Sequence, residues 1–275
     1  MKKILLVFFI ALLGLSLSTK ASFALSLEPY FGPVEIKISN LEIVNYSGKL
    51  ADGVEDNWGI FKVTSIERGF DTLWYAGKNG EYLSGIFYNL DIAGITPIDT
   101  NGDTVIDSTR VDMANTKITG MLDLYLDDSD LPGFTALVDG GPSARTGTTT
   151  YPTFTDSNVY GGKALSIAVV PGILPGVTIS NIIDGLTIIG SGKGNGYGAI
   201  VPGSGPLAAM FDNDGYLGGN ADLYMSFNYT YPASNGWTII SHDPIRTSIV
   251  PEPTSMLLFG IGTFGLAVLR RRKVA

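Results

Sequence analysis

The sequence has no cysteine and a single histidine, His242. The first absence excludes a disulfide framework, and the second excludes zinc or copper sites built on imidazole. Whatever staples the chain must be packing, or a hard cation held by oxygen. Charge is also scarce, at 16% Asp, Glu, Lys and Arg, against roughly a quarter in an ordinary globular domain. Basic residues are rarest in the body of the chain. Between Leu25 and Ile249 there are 11 of them against 25 acidic residues, a balance of −14. So acidic a body cannot neutralise phosphates, and nucleic acid is excluded as a partner. Nor does any apolar run reach the roughly 20 residues of a comfortable membrane span. The two long runs, Ile4–Leu17 and Met256–Leu269, hold 14 residues each.

Those runs sit at the two ends, and their flanks give them meaning. Lys2 and Lys3 precede the first, and Ser22 and Ala24 follow it as small residues at −3 and −1. This is the layout of a secretory signal peptide over 1–24, cleaved between Ala24 and Leu25 by the Sec export route. The second run is interrupted by Gly260, Gly262 and Gly265 and closed by Arg270, Arg271, Arg272 and Lys273. At 1.5 Å per residue it reaches about 21 Å, so with snorkelling arginines it makes a marginal span. The positive-inside rule then leaves the body on the outer side of the inner membrane.

Pro251-Glu252-Pro253, the glycine-interrupted run and the arginine cluster, taken in that order, closely resemble the PEP-CTERM sorting signal of Gram-negative bacteria. The resemblance covers 250–275. It implies processing by a membrane exosortase after transient anchoring in the inner membrane, then delivery to the cell surface or the exopolysaccharide matrix. A second resemblance links Glu55–Val63 and Asn79–Tyr88 to an ectodomain type often seen on such proteins. It implies no activity.

Between the signals, 25–249 reads as one β domain. Val34–Ile38, Leu41–Tyr46, Trp58–Val63, Gly85–Leu90, Met121–Leu126, Leu165–Val170 and Asp222–Phe227 are short alternating or apolar runs. They are rich in β-branched and aromatic residues and bounded by Gly, Asp, Asn or Pro. Ser180–Ile189 suits helix or strand equally. Asp139–Gly162 and the glycine-rich Gly190–Pro206 read as long surface loops. The expectation is an antiparallel β-sandwich or jelly-roll with long Gly-rich loops, flanked by a signal helix and a short hydrophobic C-terminal helix.

One polar constellation suggests a ligand. Asp99, Asn101, Asp103 and Asp107 occupy positions 1, 3, 5 and 9 of a calcium loop, with the Val105 carbonyl at position 7. Oxygen ligands at alternate positions converge on one hard cation, and the stretch resembles EF-hand-like and dockerin loops. It departs from them at Thr104, where glycine makes the turn, and at Arg110, where the bidentate acid belongs; Asp112 follows two residues later. A solvated turn between strands fits the same residues. Asp127–Asp130 and Asp212–Asp214 read as acidic turns. Ser241-His242-Asp243 cannot converge as a triad on one extended strand, and Lys193 to Ala199 lacks the helix a phosphate cradle needs. Trp58, Trp74 and Trp237 are candidate stacking platforms for sugars.

The sequence thus points to an exported, non-catalytic surface or matrix protein in exopolysaccharide, with one structural calcium ion as its candidate cofactor. Its partners would be the export machinery, an exosortase and exopolysaccharide. The alternatives are a calcium-dependent carbohydrate-binding module, a permanently anchored surface protein, and an enzyme acting on polysaccharide.

Overall fold

The computed structural model describes residues 25, 30–113, 118–127, 141–151, 163–170, 179–184, 190–213, 217, 221–231 and 236–250. The segments expected to form the two terminal helices lie outside these residues. Every strand expected from the sequence is present, and the two stretches at Val34 and Leu41 form one strand, β1 (Gly32–Val44). The chain continues with β2 (Asn57–Arg68), β3 (Asp71–Tyr75), β4 (Tyr82–Leu90), β5 (Gly94–Ile98), β6 (Ser108–Asp112) and β7 (Met121–Asp127). It ends with β8 (Lys163–Val170), β9 (Ile179–Asp184), β10 (Gly190–Ile200), β11 (Leu223–Tyr231) and β12 (Ile239–Ile249).

The all-β, antiparallel expectation holds, but the sandwich or jelly-roll does not. Neighbouring strands run β11-β12-β1-β2-β4-β7-β8-β10, and β10 pairs in turn with β11. That last pairing, from Gly190↔Tyr231 to Gly198↔Leu223, closes an eight-stranded ring. Closure removes the two edges a sandwich would have to protect. The upper half of β10 outruns β8 and pairs instead with β9, which carries β6 and β5 as an annex.

The stretch read as a glycine loop is therefore a strand, and its alternation explains why. Gly192, Gly194, Gly196 and Gly198 share one face of β10, opposite Tyr229, Phe227, Met225 and Leu223 of β11. Leu223 lines the lumen, so this face points inward. Small residues on one strand make room for large ones on the next, as a narrow barrel requires. A Cβ on Gly198 would stand 2.6 Å from the Ile167 side chain and 2.7 Å from Leu223. The same lock joins β2 and β4, where Gly59 pairs with Phe87 and Phe61 with Gly85.

Lumen and wall are sharply divided. Ile36, Ile38, Phe61, Val63, Leu124 and Ile245 are among the residues around a central cavity of about 30 Å³. Glu35, Lys37 and Arg246 alternate with them and face out, forming cross-strand pairs Lys37–Glu67 (2.6 Å) and Glu35–Arg246 (3.5 Å). Apolar inside and charged outside is the reverse of a barrel that spans a membrane. Among the described residues no helix is long and apolar enough to cross one either.

One sector of the outer wall is apolar, and the chain covers it. Leu41, Trp58, Ile60, Ile86, Tyr88 and Tyr125 form a second buried cluster with Tyr151 and Trp237. The strap 141–151 lies over it. Arg145 stacks its guanidinium 4.3 Å from the Trp58 ring centre while both carboxylate oxygens of Glu55 accept its N–H groups. A planar fork held bidentately and stacked on an aromatic face is a site that lysine could not fill.

Candidate functional site

The C-terminal tail begins where the barrel ends. β12 finishes at Ile249 beside Gly32, and the Val250 N–H donates to the Met210 carbonyl (2.9 Å). Met210 belongs to the short helix Ala208–Phe211, which stoppers this end of the lumen through Phe211. Asn213 locks the stopper, its Nδ2 donating to Phe211 O and Ser248 O (both 2.9 Å) and its N–H to Asp222 Oδ1 (2.8 Å). The last described residue of the body is thus fixed at a closed, rigid end. Pro251, Glu252, Pro253, Arg270, Arg271 and Arg272 lie outside the described residues, as does Ala24. Leu25 is described and buried in the main core cluster with Val34 and Trp74.

The Asp99–Asp107 loop joins β5 to β6 in the annex. Asp99 accepts N–H groups from Gly102 (2.6 Å), Thr104 (2.8 Å) and Asn101 (3.2 Å). Asn101 and Asp103 each accept the N–H two residues on, while Asp107 accepts the Thr100 N–H (2.7 Å). Burial alone would raise the Asp99 carboxyl, but the N–H groups of Gly102, Thr104, Asn101 and Asp103 together bring it below the ordinary aspartate value. Thr104 stands at φ +68°, the left-handed conformation for which glycine is favoured. Val105 is exposed, and Arg110 is paired with Asp112 (2.8 Å). Asp112, the nearest acid to the missing twelfth ligand, is therefore engaged elsewhere. Among the described residues no three acidic or histidine side chains converge closely enough to hold a metal ion.

The opposite end of the barrel carries a buried polar cluster that the sequence reading missed. Glu42 accepts the amides of Asn40 (2.7 Å) and Asn57 (3.1 Å), and Ser241 donates to Asn40. Burial pushes the Glu42 carboxyl up, against the lowering effect of the two amides. A raised carboxyl means that the folded chain binds the proton more tightly. Stability therefore falls as pH rises from the unfolded glutamate value through the folded one. The Asn57 Oδ1 atom is buried without a partner. Glu42→Gln removes the buried charge and keeps an oxygen for the Asn40 amide. The variant is expected to melt higher than the parent at pH 7, by about 2–4 °C for each kcal/mol recovered, with the gain vanishing near pH 4. A pH-independent difference between the two melting curves contradicts this account.

The other candidates do not assemble into a site. His242 is exposed on β12, opposite Ser39. Trp74 is fully buried with its Nε1 donating to Glu81 (3.1 Å), and Trp58 and Trp237 meet edge to face at 5.4 Å inside the strapped cluster. None of the three is a sugar platform at the surface. Asp127 is buried, Asp212 is half-buried, and Asp128, Asp130 and Asp214 lie outside the described residues. A buried polar network on the outer wall also escaped notice. Tyr88, Ser166 and Lys163 all converge on Asp123, at 3.1, 2.5 and 3.2 Å. Burial first, and then the Asp123 charge, push the Tyr88 hydroxyl up.

Comparison with known families matches the PEP-CTERM protein-sorting motif over residues 250–273. The chain therefore carries a PEP-CTERM tail, which marks an exported protein processed by an exosortase. No curated protein matches the sequence. Among solved structures, the crystal structure of Ail, the attachment invasion locus protein of Yersinia pestis, aligns at 8% identity. The alignment spans 80% of this chain and 100% of that one with a TM-score of 0.13, too low to carry an argument.

Proposed function

We propose that this chain is a non-catalytic component of the cell surface or extracellular polysaccharide, held briefly in the inner membrane by its tail and then released by cleavage near Pro251-Glu252-Pro253. The observation that carries this reading is the sorting motif over 250–273. The barrel supports it, since a charged outer wall and an apolar, stoppered lumen suit a body that lives in water once freed. Removing Pro251 to Pro253 tests the reading directly, because the tail would remain a membrane helix with no processing site.

One calcium ion in the Asp99–Asp107 loop belongs to the same proposal. Its support is the left-handed curl at Gly102 and Thr104 and the alternate oxygen donors of Asp99, Asn101 and Asp103, which would have to turn from the loop's own N–H groups to the ion. Millimolar calcium is then expected to raise Tm, and Asp103→Ala to abolish the response. A parent protein whose melting ignores calcium refutes the site.

A further inference from the structure

We infer that the stoppered end of the barrel is a membrane-docking face, which seats the body on the phospholipid surface that holds its tail until the tail is cut. The inference rests on the reading that Met256–Leu269 enters the membrane. Val250 is pinned to Met210, and five residues separate it from Met256. Even fully extended, that linker spans only about 20 Å. The same end of the barrel must therefore lie at the headgroup layer for as long as the tail is inserted.

The side chains presented there suit that position. The β2–β3 hairpin turns at this end of the barrel, and at its tip Phe70 is fully exposed, held out by the Gly69 turn (φ +59°) and an Arg68–Asp71 pair of 2.7 Å. Phe31, 57% exposed, precedes Gly32, which is the register partner of Ile249. The Arg68 guanidinium lies 4.7 Å from the Tyr30 ring centre, tying the chain around Phe31 to that hairpin. Two exposed phenylalanines thus stand at the end of the barrel from which the tail departs. Single exposed apolar residues need no explanation, but phenylalanines held beside a membrane tether can bury their rings at the boundary between headgroups and acyl chains. Docking would also hold Pro251-Glu252-Pro253 at one depth and orientation for a membrane-bound processing enzyme.

The absence of cysteine makes the test clean. The full-length chain, with one cysteine carrying an environment-sensitive fluorophore, is reconstituted into vesicles of phosphatidylethanolamine and phosphatidylglycerol. Labels replace Phe70, Val54 at the opposite end, or Gly262 in the tail. The expected result is a blue-shifted Phe70 label quenched by nitroxides at the headgroup, an unshifted Val54 label, and a Gly262 label quenched by nitroxides deep in the bilayer. Phe31→Ser is expected to weaken the shift at position 70. If the Gly262 label is quenched while those at 70 and 54 behave alike, docking is overturned and the sorting reading stands. If the Gly262 label stays in water, the membrane stage fails and docking fails with it.

Discussion

Gly85→Ala is expected to destabilise the barrel by about 3 kcal/mol or more, at the upper end of what overpacking costs. A methyl group at that position would collide with the Asp123 carbonyl oxygen, a backbone atom that cannot swing aside, and with the Phe61 ring. Both belong to neighbouring strands of the closed ring, so relief requires β4 to move away from β2 or from β7. Gly59 is in the same position, pressed by the Leu41 carbonyl and Phe87. The control is Gly94→Ala, where the nearest atoms are Asp112 side-chain atoms at 3.8 Å and the cost should stay within about 0.5–1 kcal/mol. Thermal melts of the two variants separate the outcomes. A loss of about 6–12 °C is expected for Gly85→Ala, and equal melting of the two would contradict the reciprocal glycine–phenylalanine lock.

That lock shows how far the sequence can be read. Alternating or apolar runs placed β1, β2, β4, β7, β8 and β11: burial of one face writes itself into the sequence with period two, and burial of both faces, as in β2, β4 and β7, gives a nearly continuous apolar run. It could not show closure, which depends on β10 meeting β11 across a ring. The strand that closes the ring carries its period in glycines rather than in apolar side chains, and so resembles a loop. Read as every second residue from Gly190 to Gly198, the same stretch is a strand whose inner face has been emptied to receive Tyr229 and Phe227. The site residues divide in the same way. The tail motif is contiguous and was legible entire. Arg145 and Glu55 meet across 90 positions, and Glu42 and Asn57 meet only because β1 and β2 pair antiparallel. No local pattern announces such meetings. Buried tryptophan looks the same in sequence as tryptophan displayed to a sugar, and only the strap over Trp58 distinguishes them.

Deleting Pro251 to Pro253 is expected to have the largest effect in the cell. The mature species should fall to near zero while a membrane-bound precursor, still carrying its apolar run and arginines, accumulates in the envelope. The physical reason is that two separate elements do the holding and the releasing. On this account apolar burial of Met256–Leu269 and the charge of Arg270 to Lys273 would keep the tail in place, at a cost for pulling arginine through the bilayer of about 2.5–3.5 kcal/mol per residue on insertion scales. Nothing in that tether depends on the proline–acid–proline segment, so its loss should leave anchoring intact and remove only the cut. Fractionation with an antibody to the barrel reads both species at once. Unchanged release into the medium would sink the sorting account.

The most direct measurement is the intact mass of the mature protein recovered from the envelope and medium of cells that make an exosortase. The account predicts a chain that ends near residue 250, with the apolar run and the arginines gone. A mass that extends to Ala275 would contradict it and make the tail a permanent anchor.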